Sequence, residues 1–265
     1  SGQLSIRWAE RAVNDYMNKV VGTEGFDYVV AMDTDSLYVN FGPLVKKMGL
    51  TDTAKIVKLL DKIGEDKFVP LFTKSYEDLA SYMNAYENKM VMGREAIADS
   101  GIWTAKKRYI LNVCNNEGVQ YAKPKLKIMG IEAVKSSTPA SCRDALKNLF
   151  KVMISGTEKE TQTAIQLFRA HFNRLDPHEI AFPRGVSDVT KWKDIDTIYK
   201  KGTPIHVRGS LLYNNLIKKH GLEKRNAIIK DGEKIKFIYL DEKNPVRENV
   251  IAFPDYLPPE LGLHK

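Results

Sequence analysis

The chain has 265 residues, 43% of them hydrophobic, and its 41 Lys and Arg against 33 Asp and Glu give a formal net charge of +8. Length and apolar content suffice for a core in one large domain or two modest ones. No run of about 18 apolar residues offers a membrane span, and SGQLSIRWAERAV at the start carries charges where a secretory signal needs an apolar stretch, so a soluble globular protein that stays in the cytosol is expected.

In chain order, Leu4, Trp8, Val13, Met17 and Val20 recur at roughly helical intervals and Gly22 follows as a stop, which predicts a helix over residues 3–19. FDYVVAM and LYVNF, short and rich in Val, Tyr and Phe, predict an antiparallel hairpin. Its turn is DTDS, without the Asn-Gly or Asp-Gly pair that tolerates positive φ, and it sets Asp33 and Asp35 where they repel each other. Either the turn is simply solvated, since Asp accepts hydrogen bonds from its own turn, or a cation sits there. Mg2+ prefers one or two carboxylates plus water and substrate phosphates.

Residues 51–88 read as mostly helical, from Ile56, Leu59, Leu60, Ile63, Phe68 and Leu71 to Tyr76, Leu79, Tyr82 and Met83, and these helices are expected to cover one face of the sheet. NKMVMGREAIA and KRYILNV read as strands, with NNEG turning the chain into VQYAKPKLKIMG. The two cysteines, Cys114 and Cys142, lack the spacing of a zinc site or a disulfide framework and read as ordinary thiols.

After Gly130 the pattern changes to capped helices, so a domain boundary near residue 130 is expected. In STPASCRDALKNLFKVMISG, Thr138 is the expected N-cap, Pro139 the first helical residue and Gly156 the terminator. Thr157 and Glu160 form a capping box for a helix running to about Arg174. An irregular stretch to Gly202 precedes TPIHVRGSLLYNNLIKK and two strand-like runs, KIKFIYL and NVIAF. The fold class is α+β.

Between Ile102 and Lys135 seven Lys and Arg face two Glu, with Trp103, Tyr109 and Tyr121 interleaved. Such a mixture suits a surface that tracks phosphates and touches bases or sugars. Strand alternation would send Lys106 and Arg108 one way and Lys107 and Tyr109 the other. Lys125 and Lys127 share one side of the next strand, and Lys135 and Ser136 stand before a helix start. Each of these lysines is equally readable as a solvated side chain. His171, His178, His220 and His264 show no ligand spacing and read as surface residues.

These stretches together resemble family B DNA polymerases. Their third polymerase motif, written approximately Tyr-Gly-Asp-Thr-Asp-Ser, is similar to Ala31-Met32-Asp33-Thr34-Asp35-Ser36, although the two residues before Asp33 depart from it. WAERAVNDYMNKVVGTEG, MGREAIA, WTAKKRYILNV, PKLKIMGIEAVKSSTP and IHVRGSLLYN follow in the order seen in the replicative polymerases of T-even-type bacteriophages, from residue 3 to about residue 253. The resemblance implies an antiparallel palm sheet covered by helices, the C-terminal part of the palm, in residues 1–130, and a mainly helical thumb with a small β element in residues 131–265.

The resemblance also implies roles. Asp35 becomes a principal Mg2+ ligand, Asp33 the neighbouring acid that contributes to the field or to coordination, and Glu95 a further active-site carboxylate. Gly93 stands where the family often has another acid. Lys106, Lys107, Arg108 and Tyr109 match the motif that holds the primer–template duplex, Lys125, Lys127, Lys135 and Ser136 extend that strip, and His206 and Arg208 match thumb residues that grip the duplex. A pair of Mg2+ ions, deoxynucleoside triphosphates and primer–template DNA are the implied cofactor and partners, without a membrane, in the cytoplasm of an infected bacterial host.

The first-motif aspartate and the fingers helix of the family have no counterpart here. An isolated chain would then be inactive, and an N-terminal polymerase portion, from a split gene or lost by truncation, would complete it. Trp8, Val29 and Tyr38 are expected to be exposed for such a partner. A clamp-binding tail is likewise not seen before PPELGLHK ends the sequence. Two other readings remain: a duplex-binding remnant that has lost its chemistry, and an independent metal-dependent nuclease built on the same carboxylates.

Overall fold

A computed structural model describes residues 2–263, so His264 lies outside the described residues. The chain is α+β, every strand pair described is antiparallel, and it divides into two compact units, Ser1–Met129 and Gly130–Lys265. Among the described residues no helix is long and apolar enough to cross a membrane.

In the first unit, helix α1 (Gly2–Val21) buries Ile6, Ala9, Val13 and Met17, a stripe stepping by three and four residues. Leu4 sits two residues before that stripe begins, on the far side of the helix, and it and Val20 are exposed rather than buried. Gly22 ends the helix at a φ of +79°, and Lys47 Nζ donates to the carbonyls of Val20 and Val21 at 3.2 and 2.7 Å. Asn14 and Asn18 reach sideways from α1. Asn14 Oδ1 accepts from the Tyr28 amide at 2.8 Å, while Asn18 binds both the carbonyl and the amide of Phe26.

That clasp aims β1 (Val29–Asp33), which pairs with β2 (Ser36–Val39) across a two-residue turn, Asp33 facing Ser36. Helix α2 (Gly42–Lys47) follows, then α3 (Thr53–Ile63), capped by Asp52, whose carboxylate accepts from the Lys55 amide at 2.9 Å. A π-helical turn, Gly64–Phe68, joins α3 directly to α4 (Val69–Tyr82). Pro70 explains the widened turn, because it lacks an N–H and would clash with the carbonyl four residues earlier. Phe68, Phe72, Tyr76 and Leu79 close on Val13, Met17 and Tyr28 to form the core.

Strands β3 (Ala96–Ala105), β4 (Arg108–Asn116) and β5 (Val119–Met129) form a separate three-stranded meander. Its Ile97 and Cys114 pack under Val57 and Leu60 of α3, so helices do cover one face. The strand expected across NKMVMGREAIA begins only at Ala96; residues 83–95 carry turn chemistry, with Asn84 at positive φ and an Asn88 side chain bonding the Met90 amide. Lys106 and Lys107 are not strand residues either. They form the β3–β4 turn, Lys107 at a φ of +62°, which corrects the alternation argued for KKRY. The expectation that Trp8, Val29 and Tyr38 are exposed also fails: Val29 is buried, Trp8 packs against the core beside Tyr82, and Tyr38 joins a ring cluster.

In the second unit, α5 (Ala140–Ser155) starts one residue later than expected, with Pro139 at the N-cap and no capping side chain. Gly156 ends it, and α6 (Glu158–Phe172) begins with the Thr157–Glu160 capping box. Both helices are amphipathic, yet neither has a fully buried residue. The stretch read as irregular holds α7 (Pro177–Ile180), β6 (Phe182–Gly185), α8 (Val189–Trp192), β7 (Lys193–Asp194) and β8 (Ile198–Tyr199). Helix α9 (Ile205–Lys219) then crosses a sheet ordered β10 (Val250–Phe253), β9 (Lys234–Tyr239), β6. Gly209 lets α9 lie on β10: a Cβ there would stand 2.8 Å from the Ala252 nitrogen. Leu212, Tyr213, Ile217, Ile235 and Phe253 form the core beneath.

Candidate active site and nucleic-acid surface

The DTDS tip is strained. Thr34, β-branched, sits at a φ of +33°, a conformation that costs free energy and persists only where the surroundings impose it. Asp33 is half-buried. Its Oδ1 accepts from the Thr34 hydroxyl at 3.1 Å, and its Oδ2 lies 3.5 Å from Lys107 Nζ. Asp35 is exposed and makes no hydrogen bond or ion pair with any described residue. The turn therefore carries one carboxylate neutralised by a lysine and one left free.

The hairpin docks through aromatic rings. Tyr38 of β2 lies 5.2 Å from Trp103 and 5.3 Å from Tyr109, ring centre to ring centre. Gly101 makes room for this cluster, since a Cβ there would meet Leu111 at 2.7 Å and the Trp103 ring at 2.9 Å. A cleft of about 250 Å3 results, lined by Met32, Asp33, Tyr38, Trp103, Lys107 and Tyr109 among others. Burial, then the Tyr38 hydroxyl, then the charges of Glu95 and Asp33 push the Tyr109 phenol well above its ordinary range. Tyr109 thus stays protonated throughout the physiological range, and its hydroxyl can donate. The Trp103 Nε1–H is buried beside it without a hydrogen-bond partner among the described residues.

Glu95 is exposed and ion-paired to Lys127, so the structure gives these two expected site residues to each other. Its neighbour Arg94 is largely buried, donating to Asp61, to Asn115 Oδ1 at 3.0 Å and to the Glu95 carbonyl at 3.3 Å. The side chains of Lys106 and Arg108 are exposed and have no hydrogen bond or ion pair among the described residues, although the Arg108 carbonyl accepts from the Thr104 hydroxyl at 3.3 Å. Lys125 Nζ stands 4.2 Å over the Tyr121 ring. In the second unit, Lys135 pairs with Glu132 at 2.9 Å and Ser136 is exposed. Arg208 is tied to Asn249 and lies 5.5 Å over the Tyr199 ring. His206 is half-buried 6.4 Å from Phe237, its pKa lowered by burial and then by the charge of Arg184.

Among the described residues no three His, Cys, Asp or Glu side chains gather closely enough to hold a metal. The donors at the tip nevertheless fit Mg2+: they are hard oxygens, one of them unengaged and solvent-facing, and that ion takes one or two carboxylates and completes its shell with water and phosphate.

No protein-family model matches the chain. It is 38% identical over 264 residues to a DNA-directed DNA polymerase of Escherichia phage RB69, an alignment covering 96% of this chain. It is 36% identical over 273 residues to a DNA-directed DNA polymerase of Enterobacteria phage T4, covering 98% of this chain. The chain is homologous to a portion of the T-even-type phage family B polymerases. It spans 29% of the length of the first relative and 30% of the second.

Beside this homology, the structure brings into the site residues that the sequence did not place there. Tyr38 and Trp103 build the wall of the cleft, and Arg94 with Asp61 and Asn115 fixes the chain just before Glu95. Tyr38 carried a usable signal, because it is two residues beyond the acidic turn on an antiparallel hairpin. Asp61 carried none, lying 33 residues before its arginine.

Proposed function

We propose that this chain supplies the third-motif carboxylates and the duplex-gripping surface of a phage DNA-directed DNA polymerase, residues 1–130 as the C-terminal part of the palm and residues 131–265 as the thumb. The homology running the length of the chain to two DNA polymerases carries this reading. In the complete enzyme the primer 3′-hydroxyl attacks the α-phosphate of a deoxynucleoside triphosphate and pyrophosphate leaves. Asp35, with Asp33 beside it, would hold Mg2+, which would supply charge stabilisation for phosphoryl transfer.

The chain's own residues have distinct tasks. Asp35, free and exposed, is the metal ligand, and Asp33, held by Lys107, adds negative field beside it. Glu95 contributes a carboxylate whose charge Lys127 partly offsets. Lys106, Lys107, Arg108 and the protonated Tyr109 hold the primer–template through phosphates and through minor-groove acceptors common to all base pairs, so binding tolerates any sequence. Lys125, Lys135, Ser136, His206 and Arg208 extend the grip along the product duplex. The first-motif aspartate and the triphosphate-binding fingers belong to the remaining polymerase portion, so the isolated chain is inactive. The assembly works in the cytoplasm of the infected bacterial host.

One observation favours a second reading, a duplex-binding remnant without chemistry: Asp33 and Glu95 each already pair with a lysine. Primer extension with Mg2+ and deoxynucleotides separates the two, run with this chain alone and then with the N-terminal polymerase portion of the same source. Extension in the mixture only, abolished by Asp35→Ala, supports the polymerase. No extension in either, with salt-sensitive duplex binding retained, leaves the remnant.

A further inference from the structure

The second unit carries an exposed aromatic face that the proposed chemistry does not use. Phe182 faces Phe237 across the β6–β9 pair, and Tyr239 lies two residues beyond Phe237 on the same side, past the residue at which β6 begins. The rings form one cluster. Phe182 stacks on Phe237 at 5.5 Å, and Tyr239 stands edge-on to both, at 6.5 and 6.1 Å. Phe237 is buried at 7% exposure and anchors the cluster, while Phe182 and Tyr239 remain 39% and 61% exposed.

The three strands of the sheet, FPRG, KIKFIY and VIAF, hold Arg184, Lys234 and Lys236 and no acidic residue; alternation sends Lys234 and Lys236 to the face opposite the rings, so Arg184 is the strand cation on their side. Arg184 shares the ring face by register, two residues from Phe182, and its exposed guanidinium makes no hydrogen bond or ion pair with any described residue. The whole second unit leans the same way: 23 of the chain's 41 basic residues but 17 of its 33 acidic ones lie beyond Met129.

We propose that Phe182 and Tyr239 form a stacking platform for the bases of single-stranded DNA, with Arg184 taking the adjacent phosphate. Exposed rings beside an uncompensated cation are the arrangement by which proteins hold single strands without reading sequence. Bases in a duplex are already stacked on one another, so the platform prefers a single strand. A protein partner would bury the rings but would gain nothing from an unpaired arginine. The choice of DNA as occupant rests on the proposed function.

The test is fluorescence anisotropy on the whole chain with two probes, a labelled oligothymidylate of about 12 nucleotides and a labelled blunt hairpin duplex. The double variant Phe182→Leu/Tyr239→Leu keeps apolar bulk at two exposed positions, and its thermal melt checks the fold. It should weaken oligothymidylate binding by about tenfold or more and leave the hairpin within about twofold. Arg184→Ala should reduce the single-strand salt slope by close to one charge. Undiminished single-strand affinity in the leucine variant overturns the platform, as does self-association of the chain that the variant abolishes without changing DNA affinity. If the hairpin binds and oligothymidylate does not, the platform falls and the DNA-handling reading stands; if neither binds, both fall.

Discussion

Lys107 joins two demands in one residue. It occupies a left-handed turn position that suits glycine, at a φ of +62°, and it neutralises Asp33 at 3.5 Å. Lys107→Gly therefore separates charge from conformation. Folding stability should stay equal or rise by up to about 1 kcal/mol, as denaturant unfolding would report. Duplex affinity should fall nonetheless, with the salt slope reduced by about one. Equal affinity in the variant would remove this lysine from the DNA surface. At His206 the argument concerns pH. Burial and Arg184 hold its folded pKa below the ordinary 6.5, so the unfolded chain binds the proton more readily. Its contribution to stability is full above 6.5 and is lost as pH falls from there through the folded value. Thermal melts at pH 7 and pH 5 should show this dependence, and His206→Gln should flatten it.

At the scale of elements, close approaches matter more than propensity. Gly209 was visible in the sequence only as a glycine inside a helical pattern, where it costs about 1 kcal/mol relative to alanine. Its reason appears in three dimensions: α9 lies so near β10 that a Cβ would meet backbone atoms at 2.8 and 3.0 Å. Gly209→Ala should accordingly destabilise the second unit by about 1–3 kcal/mol despite the better helix former. A melt equal to or above the parent would show that α9 can lift without loss. The capping box at Thr157, by contrast, was fully legible, because it depends on residues three apart in one local turn. The strand expected through residues 88–98 was not, since turn-forming Asn side chains and a salt-bridged Arg94 hold that stretch as coil until Ala96.

Across the whole molecule, burial is uneven. The largest core, around α9, β9 and β10, includes no residue of α5 or α6, and those two helices hold only half-buried or exposed side chains. Opening them exposes little new apolar surface, so their amides should exchange with solvent earliest among the helices of the second unit and those of α9 last. Hydrogen exchange followed by mass spectrometry reads this directly; equal protection would mean that the helical pair unfolds only with the core. In the first unit the exposed apolar residues concentrate at Tyr82, Met83, Tyr86 and Val91 rather than at Trp8, Val29 and Tyr38. Burial of that kind depends on which elements meet, and the sequence does not record it.

The sequence alone determined the α+β class, the acidic hairpin tip, the basic and aromatic strip beyond it, and the helix pair of the second unit with the Thr157–Glu160 capping box between them. All of these follow from period, turn chemistry and charge within a few residues. Only the tertiary structure decided that Lys107 turns onto Asp33, that Lys127 answers Glu95, that Tyr38 locks against Trp103 and Tyr109, and that Phe182 and Tyr239 share one open face. Each is a pairing between residues tens of positions apart, fixed by strand register and helix docking, which no local pattern encodes.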